Sequence, residues 1–449
     1  VPDSLFATDA MRDVFSERTR IARMLEFEAA LARAEASVGV IPREAAEAIA
    51  GECNADGFDV AAIARDARKA GNLAIPLVAA LTRNVAAAAP DAKGYVHWGA
   101  TSQDVIDTGL VLQVRDALAL IEADVDRLAT ALAVQVRRHA TTVLAGRTWL
   151  QQALPITLGI KLAGVLSALD RHRQRLAAAR RQVLVVQFGG AAGTLASLGD
   201  RGIAVTEALA ASLALDVPDL PWHTQRDRFC DVASTLGMLT ATLGKLARDI
   251  SLLAQSEVGE AQEPALPGRG GSSTMPQKRN PVGAAIALEA AVRVPGLVST
   301  MLSAAVQEHE RGLGNWPAEW ATLPEIALCA SGAVVAMVEV IEGLGVDADR
   351  MRANLDITQG LIFAEAVQMA LAPSIGRGTA HSLVASACRR ASAEHAHLRE
   401  ILAQEPDVTR VLDAQQLAQL FDPLHYLGAT EAFVARVLAG HPARTDQVR

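Results

Sequence analysis

Aromatic side chains make up only 4% of this 449-residue sequence, and cysteine occurs only at Cys53, Cys230, Cys329 and Cys388. The cysteines are scattered, with no Cys-x-x-Cys pair. That argues against a disulfide frame or a zinc knuckle and suits free thiols in a reducing cytosol. Positive charge is also short, with 42 Lys and Arg against 50 Asp and Glu, a net of −8. An acidic chain with a pI near 5.7 is a poor match for nucleic acid or a membrane surface as its main partner. Any anion it binds must be gripped by local cations working against the global field. Val1-Pro2-Asp3 lacks a basic patch followed by an apolar core, and runs such as Gln182–Gly199 are broken by glycine and glutamine. No secretory signal and no spanning helix is therefore expected. No repeat of fixed period and no low-complexity tract is evident. With 51% hydrophobic and 20% charged residues, the expectation is a soluble, cytoplasmic globular protein with a large core.

Alternating Val, Ile and Thr are scarce, whereas alanine and leucine dominate, which favours helix nearly throughout. Residues 9–38 are predicted as a first long helix stopped by Gly39, and 42–96 as shorter helical pieces between glycines and prolines. Then Leu110, Val114, Leu118, Ile121, Val125, Leu128, Leu132 and Val136 recur at steps of three and four. Phe229, Val232, Leu236, Leu239, Leu243, Leu246, Ile250 and Leu253 form a second such stripe. Each is a rod of roughly 35–40 Å, and sustained spacing of this kind means bundle packing. Residues 155–186, 281–305 (with a kink at Pro295) and 326–340 are read as further bundle helices. The expected architecture is all-α, with an N-terminal helical domain (1–106), a central long-helix bundle (107–345) and a C-terminal helical domain (346–449). Rods this long and apolar are hard to cover within one chain, so a closed symmetric oligomer is expected.

Three polar stretches interrupt the apolar rods. The most chemical is Gly268–Pro281, where glycines and prolines surround Ser272, Ser273, Lys278, Arg279 and Asn280. Asn280-Pro281 reads as a helix N-cap followed by proline at the first position, which would aim free N–H groups and a positive helix end at an enclosed anion. The second runs from His97 through Thr101, Ser102 and Gln103 to Asp104, and the third from Gly146 through Trp149 to Gln151 and Gln152. Singly, hydroxyls and amides at helix starts are most often caps.

Together the three stretches are another matter. Gly-Ser-Ser-Thr-Met-Pro-Gln-Lys-Arg-Asn-Pro resembles the signature loop of the fumarase/aspartase superfamily, Gly-Ser-Ser-x-x-Pro-x-Lys-x-Asn. The other two stretches resemble that superfamily's further blocks, in order and at the right distances, and the likeness covers essentially the whole chain. The resemblance implies a three-domain helical fold and a homotetramer in which each site draws its blocks from three subunits. It implies addition to, or elimination from, a carbon β to a carboxylate, through an enediolate and without metal or organic cofactor. By the same resemblance Ser272 would move the Cα proton. Lys278 and Asn280 would grip that carboxylate, and Thr101, Ser102 and Gln103 would bind a second one. Cationic and N–H donors placed where charge grows are usually the largest catalytic effect.

One departure is informative. Where lyases of the superfamily typically carry Thr-His-x-Gln, this chain has Thr148-Trp149-Leu150-Gln151. An amine or hydroxide leaving group needs protonation, but a carboxylate does not. Loss of the histidine therefore points to the lactone-forming branch, in which a small tricarboxylate's own distal carboxylate adds to a double bond. Trp149 and Gln151 are expected beside that substrate, with His97, Arg226 and Arg311 as further contacts. The two arginines are the better carboxylate clamps, because three carboxylates need more charge than Lys278 supplies. His223 is read as structural, Gly189–Gly193 as a turn rather than a phosphate cradle, and His395 and His397 as residues of a solvated face. A fumarate-releasing lyase, or an inactive structural protein on the same scaffold, remains the alternative.

Overall fold

The protein, described as a computed structural model over residues 3–265 and 268–441, is built almost entirely of helices. Six of them are long: α1 (Glu17–Ser37), α2 (Ser102–Arg138), α3 (Leu158–Val183), α4 (Asp227–Leu253), α5 (Val282–Ala304) and α6 (Asn315–Glu342). Every member of the two apolar stripes, on α2 and α4, is buried. The three-and-four spacing thus marked the inward face of each rod.

Local chemistry moves several boundaries. The first predicted helix is two: Asp9–Val14 ends, and Ser16 Oγ accepts the Thr19 N–H at 3.1 Å to start α1. Pro155 lies in a strand, and α3 begins three residues later, where Thr157 Oγ1 accepts from Ile160 N at 3.2 Å. Helix α6 starts at Asn315, well before Ile326, and tolerates Pro317 in its first turn. The polar stretch around Trp149 is a hairpin that helical composition concealed. Its strands β1 (Val143–Thr148) and β2 (Gln151–Thr157) are antiparallel, with Thr148 opposite Gln151 and Arg147 opposite Gln152. Two helices, α5 and α6, are also long and apolar enough to cross a membrane, contrary to the reading of the sequence. Most of α6 is buried within the protein (72% of its most apolar window), whereas α5 is only 28% buried.

Two compact units are distinguishable: Val1–Asp126 with Arg171–Gly244 and Ile286–Val335, and Arg127–Asp170 with Lys245–Ala285 and Ala336–Arg449. In the first, α4 and α5 approach closely through glycine. A Cβ on Gly237 would lie 2.9 Å from Val298 Cγ2, and one on Gly244 would collide with Ala291 Cβ. In the second, Phe363, Val367, Leu371, Val384, Leu398 and Leu402 form the core of the C-terminal helices.

The first unit contains an unusual acid pair. Glu28 and Glu35 lie one heptad apart on α1 and are 1% and 0% exposed. Neither carboxylate oxygen of Glu35 has a hydrogen-bond partner among the described residues. Burial, reinforced by the charge of Glu28, pushes the Glu35 carboxyl up to about 9, so it is neutral at pH 7. The folded protein therefore keeps a proton that the unfolded chain releases above about 4.5. The contribution of Glu35 to stability is fully present below that pH and is lost as pH rises towards 9, by up to about 1.4 kcal/mol per pH unit. Glu35→Gln is expected to flatten this decline and raise the melting temperature at alkaline pH. Thermal unfolding across the pH range checks it, and an unchanged slope would contradict it.

Candidate active site

The serine loop is closed at its base by a glycine that nothing else could replace. Gly270 has φ +72°, its carbonyl accepts the Asn280 N–H at 2.8 Å, and a Cβ there would sit 2.6 Å from the Asn280 oxygen. Beside it, Arg269 pairs with Glu339. Within the ring, Ser272 Oγ accepts backbone N–H groups from Met275 at 3.1 Å and Thr274 at 3.4 Å. Two donors aimed at the hydroxyl oxygen stabilise negative charge there, which a serine needs to exchange a proton near neutrality. Lys278 is exposed and Asn280 half-buried, its Nδ2 donating to Gly271 O at 3.5 Å.

The cap at the start of α5 differs from expectation. The carboxylate of Glu263 accepts N–H groups from Gly283 at 2.9 Å and Ala284 at 2.7 Å. The helix end is thus neutralised by the protein's own acid, not by Asn280, and those N–H groups are closed to a guest. Attraction for an anion must come from Lys278, Arg279 and the loop.

In the other unit, the block at the start of α2 is tied into a buried network. Asp104 accepts from Gly189 N (3.0 Å), Gly190 N (2.9 Å) and Thr101 N (3.0 Å), and meets His223 Nε2 at 2.7 Å. The glycine turn therefore cradles a carboxylate of the chain itself, and His223 is part of the scaffold. Gln103 is wholly buried, with its amide donating to Asp107 Oδ2 (3.0 Å) and His223 O (2.7 Å) and its oxygen accepting from Arg311 Nε (3.0 Å). With the side chain wholly buried and both amide hydrogens and the oxygen engaged within the chain, direct substrate contact is not open to it in this arrangement.

Arg226 departs further from the expected clamp. Its guanidinium is buried between Asp107 (2.6 and 3.1 Å) and Glu319 (2.6, 3.0 and 3.1 Å), with His223 O at 3.4 Å. Trp316 Nε1 completes Asp107 at 2.9 Å, and Gln307 Nε2 completes Glu319 at 3.0 Å. Burial alone would lower the arginine's affinity for its proton, but the two carboxylates more than offset that and hold it charged. Arg226 is the hub of the core. Arg311, half-buried, spends Nε on Gln103 and Nη2 on Ala191 O (3.1 Å), leaving Nη1 for a ligand. Neither the Thr101 nor the Ser102 hydroxyl is engaged in a side-chain hydrogen bond among the described residues. His97, with φ +58°, meets Glu28 Oε1 through Nδ1 at 2.6 Å.

Trp149 and Leu150 form the two-residue tip of the hairpin, at φ +52° and +63° and 98% and 80% exposed. Such a turn normally takes Asn-Gly, because positive φ costs a residue with Cβ about 1–2 kcal/mol. The strands behind the tip are pinned. Arg147 grips buried Glu260 at 2.6 and 3.0 Å, Asn354 Nδ2 donates to the same carboxylate at 2.7 Å, and Gln152 Nε2 donates to Asn354 O at 2.8 Å. A strained apolar tip on a rigid mount is a device for presenting a side chain. Gln151, exposed beside it, shares that presentation.

Sequence reasoning missed Glu28, Glu263 and Glu260. Glu28 carried a faint signal, an acid set among the apolar residues of α1. The other two find their partners through the fold alone.

Serine loop, hydroxyl block and hairpin on a long-helix scaffold define a lyase architecture, and the comparisons agree. The pattern described as Lyase matches residues 5–296, and that described as Adenylosuccinate lyase C-terminus matches 360–437. The chain belongs to this lyase family, of fumarase/aspartase fold. It is 56% identical over 441 residues to 3-carboxy-cis,cis-muconate cycloisomerase of Pseudomonas aeruginosa, covering 98% of this chain and 96% of that one. The crystal structure of 3-carboxy-cis,cis-muconate lactonizing enzyme from Pseudomonas putida superposes with a TM-score of 0.93 at 55% identity, covering 98% of both chains. A fumarate lyase from Mesorhizobium sp. gives 0.90 at 43% identity, covering 97% of this chain and 98% of that one.

Proposed function

We propose that the protein catalyses cycloisomerisation of 3-carboxy-cis,cis-muconate to 4-carboxymuconolactone, a step in the breakdown of protocatechuate. The observation that carries this is Trp149 at the hairpin tip, where fumarate-releasing relatives typically place a histidine. The distal carboxylate of the substrate forms an O–C3 bond while the C2=C3 π electrons move onto the C1 carboxylate as an enediolate. Lys278 and Asn280 hold that doubly charged group. Ser272 delivers a proton to C2, its alkoxide resting on the Met275 and Thr274 N–H groups until solvent restores the proton. No atom is lost, and no group departs that a general acid would have to protonate. Thr101, Ser102, His97 and the free side of Arg311 hold the remaining carboxylates, and Trp149 and Gln151 flank the folded diene.

The working form in this reading is a homotetramer with each site shared among subunits. Two observations support it. Helix α5 is 28% buried for a mean hydropathy of 1.5, with Val292 81% and Leu302 53% exposed. The Trp149–Leu150 tip projects with nothing on it. The four cysteines form no disulfide among the described residues, which suits a cytoplasmic home.

Purified protein should consume 3-carboxymuconate, followed by loss of diene absorbance, with lactone as the product. Fumarate release from a succinyl substrate without diene consumption would replace this reading with the lyase alternative.

A further inference from the structure

Glu28 is a poor choice for its place. It is 1% exposed on an apolar helix face, and its Oε2 has no partner among the described residues. Its single hydrogen-bond partner among the described residues is His97 Nδ1, at 2.6 Å. A buried carboxylate with half its hydrogen-bonding capacity unfilled is unfavourable for folding, and an aliphatic side chain would suit the core better. His97, whose backbone takes the left-handed conformation at φ +58°, keeps its other nitrogen free, since Nε2 bonds nothing among the described residues and the side chain is 16% exposed. The pair thus joins a buried acid to an open imidazole nitrogen four residues before Thr101.

We propose that Glu28 is a positioning residue for the reaction: its carboxylate anchors His97 through Nδ1 at 2.6 Å, so that the open Nε2 is presented to a substrate carboxylate. This rests on the reading of the site given above. The charged surroundings are few. From α1, Glu35 faces Glu28 but is neutral at pH 7, because burial and Glu28 raise it. From the segment after the helix Arg43–Glu52, Cys53 also faces Glu28, and its thiol is kept protonated by burial first and by Glu28 second, with Arg33 opposing. From the start of α2, Asp104 adds negative potential at His97. Burial pulls the imidazole towards neutrality, but Glu28 and then Asp104 outweigh it and raise its affinity for a proton. The cation is therefore present below the raised value and lost as pH climbs through it.

The test uses Glu28→Gln in the full-length protein, with diethyl pyrocarbonate as probe and mass spectrometry to read modification at His97. The reagent attacks only unprotonated imidazole. In the variant, the pH of half-maximal His97 reactivity should fall by at least about one unit. The alkaline limb of kcat/KM should shift the same way, with about a tenfold loss at neutral pH. In a His97→Gln background the same change should add almost no further loss, because Glu28 acts through His97. If the amide does not fold, Glu28→Asp, which keeps the charge but shortens the reach, should move the reactivity curve in the same direction by less. A curve that does not move, a histidine that never reacts, or losses that multiply in the double variant would each overturn the proposal. Absence of turnover in the wild type would instead count against the proposed function, and the reactivity measurement would still decide the role of Glu28.

Discussion

Ser272→Ala should lower kcat on 3-carboxymuconate by about 10²–10⁴-fold, the span associated with a positioned proton donor, while leaving KM little changed. Among the loop's proton donors, Ser272 is the alcohol whose oxygen accepts two backbone N–H groups, from Met275 and Thr274, and so can carry the charge left by giving a proton to C2. Lys278 and Asn280 would still hold the carboxylate, and the ring closed by Gly270 and Asn280 does not involve the hydroxyl. The substitution does free the Thr274 and Met275 N–H groups, but both lie in an exposed turn where water can reach them. Thermal stability should therefore match the wild type, which separates lost chemistry from lost structure. Steady-state kinetics on the stable variant decides the matter, and turnover within a few-fold of wild type would remove Ser272 from the proton-transfer role.

Arg226→Met should be costly in a different currency, destabilising the fold by about 3–5 kcal/mol. Among the described residues the side chain removed is the sole cation bonded between Asp107 and Glu319, both buried. Burial already pushes the Glu319 carboxyl towards its protonated form against the pull of Arg226. Taking the arginine away leaves two carboxylates in low dielectric with only the neutral donors Gln103, Trp316 and Gln307 among the described residues. Adding Asp107→Asn and Glu319→Gln should recover most of the loss, since a neutral cluster carries no unpaired charge. Denaturant unfolding measures both effects. If Arg226→Met unfolds at the wild-type midpoint but shows a raised KM, the residue is a substrate clamp after all.

These two residues also show how far the sequence could be read. The loop around Ser272 stood out as a candidate site because its glycines, prolines and cations make little sense as packing. Arg226 was legible as important but not in its role: an arginine beside a predicted rod does not reveal which acids the fold turns towards it. The apolar stripes of α2 and α4 were readable along their whole length because helical period and burial express the same geometry. The hairpin was not, because its turn is Trp149-Leu150, residues whose side chains oppose the backbone they adopt. Glu263 at the start of α5 escaped as well, since a cap supplied from far back in the chain leaves no trace in the local Ser, Thr, Asp or Asn pattern. Local preference and structure disagree at Trp149 and at His97, the two positions on which the proposals above rest.

The hairpin tip has an optical consequence. Of the five tryptophans, Trp222 and Trp316 are buried, whereas Trp149 stands 98% in water. In the proposed assembly another subunit would close over the tip and shelter the indole, so its emission would report the assembly rather than the chain. A dilute, separated subunit would fluoresce with a red-shifted component that vanishes on association. The residue at which this chain departs from the superfamily's usual histidine would thereby also report when the proposed shared site is complete.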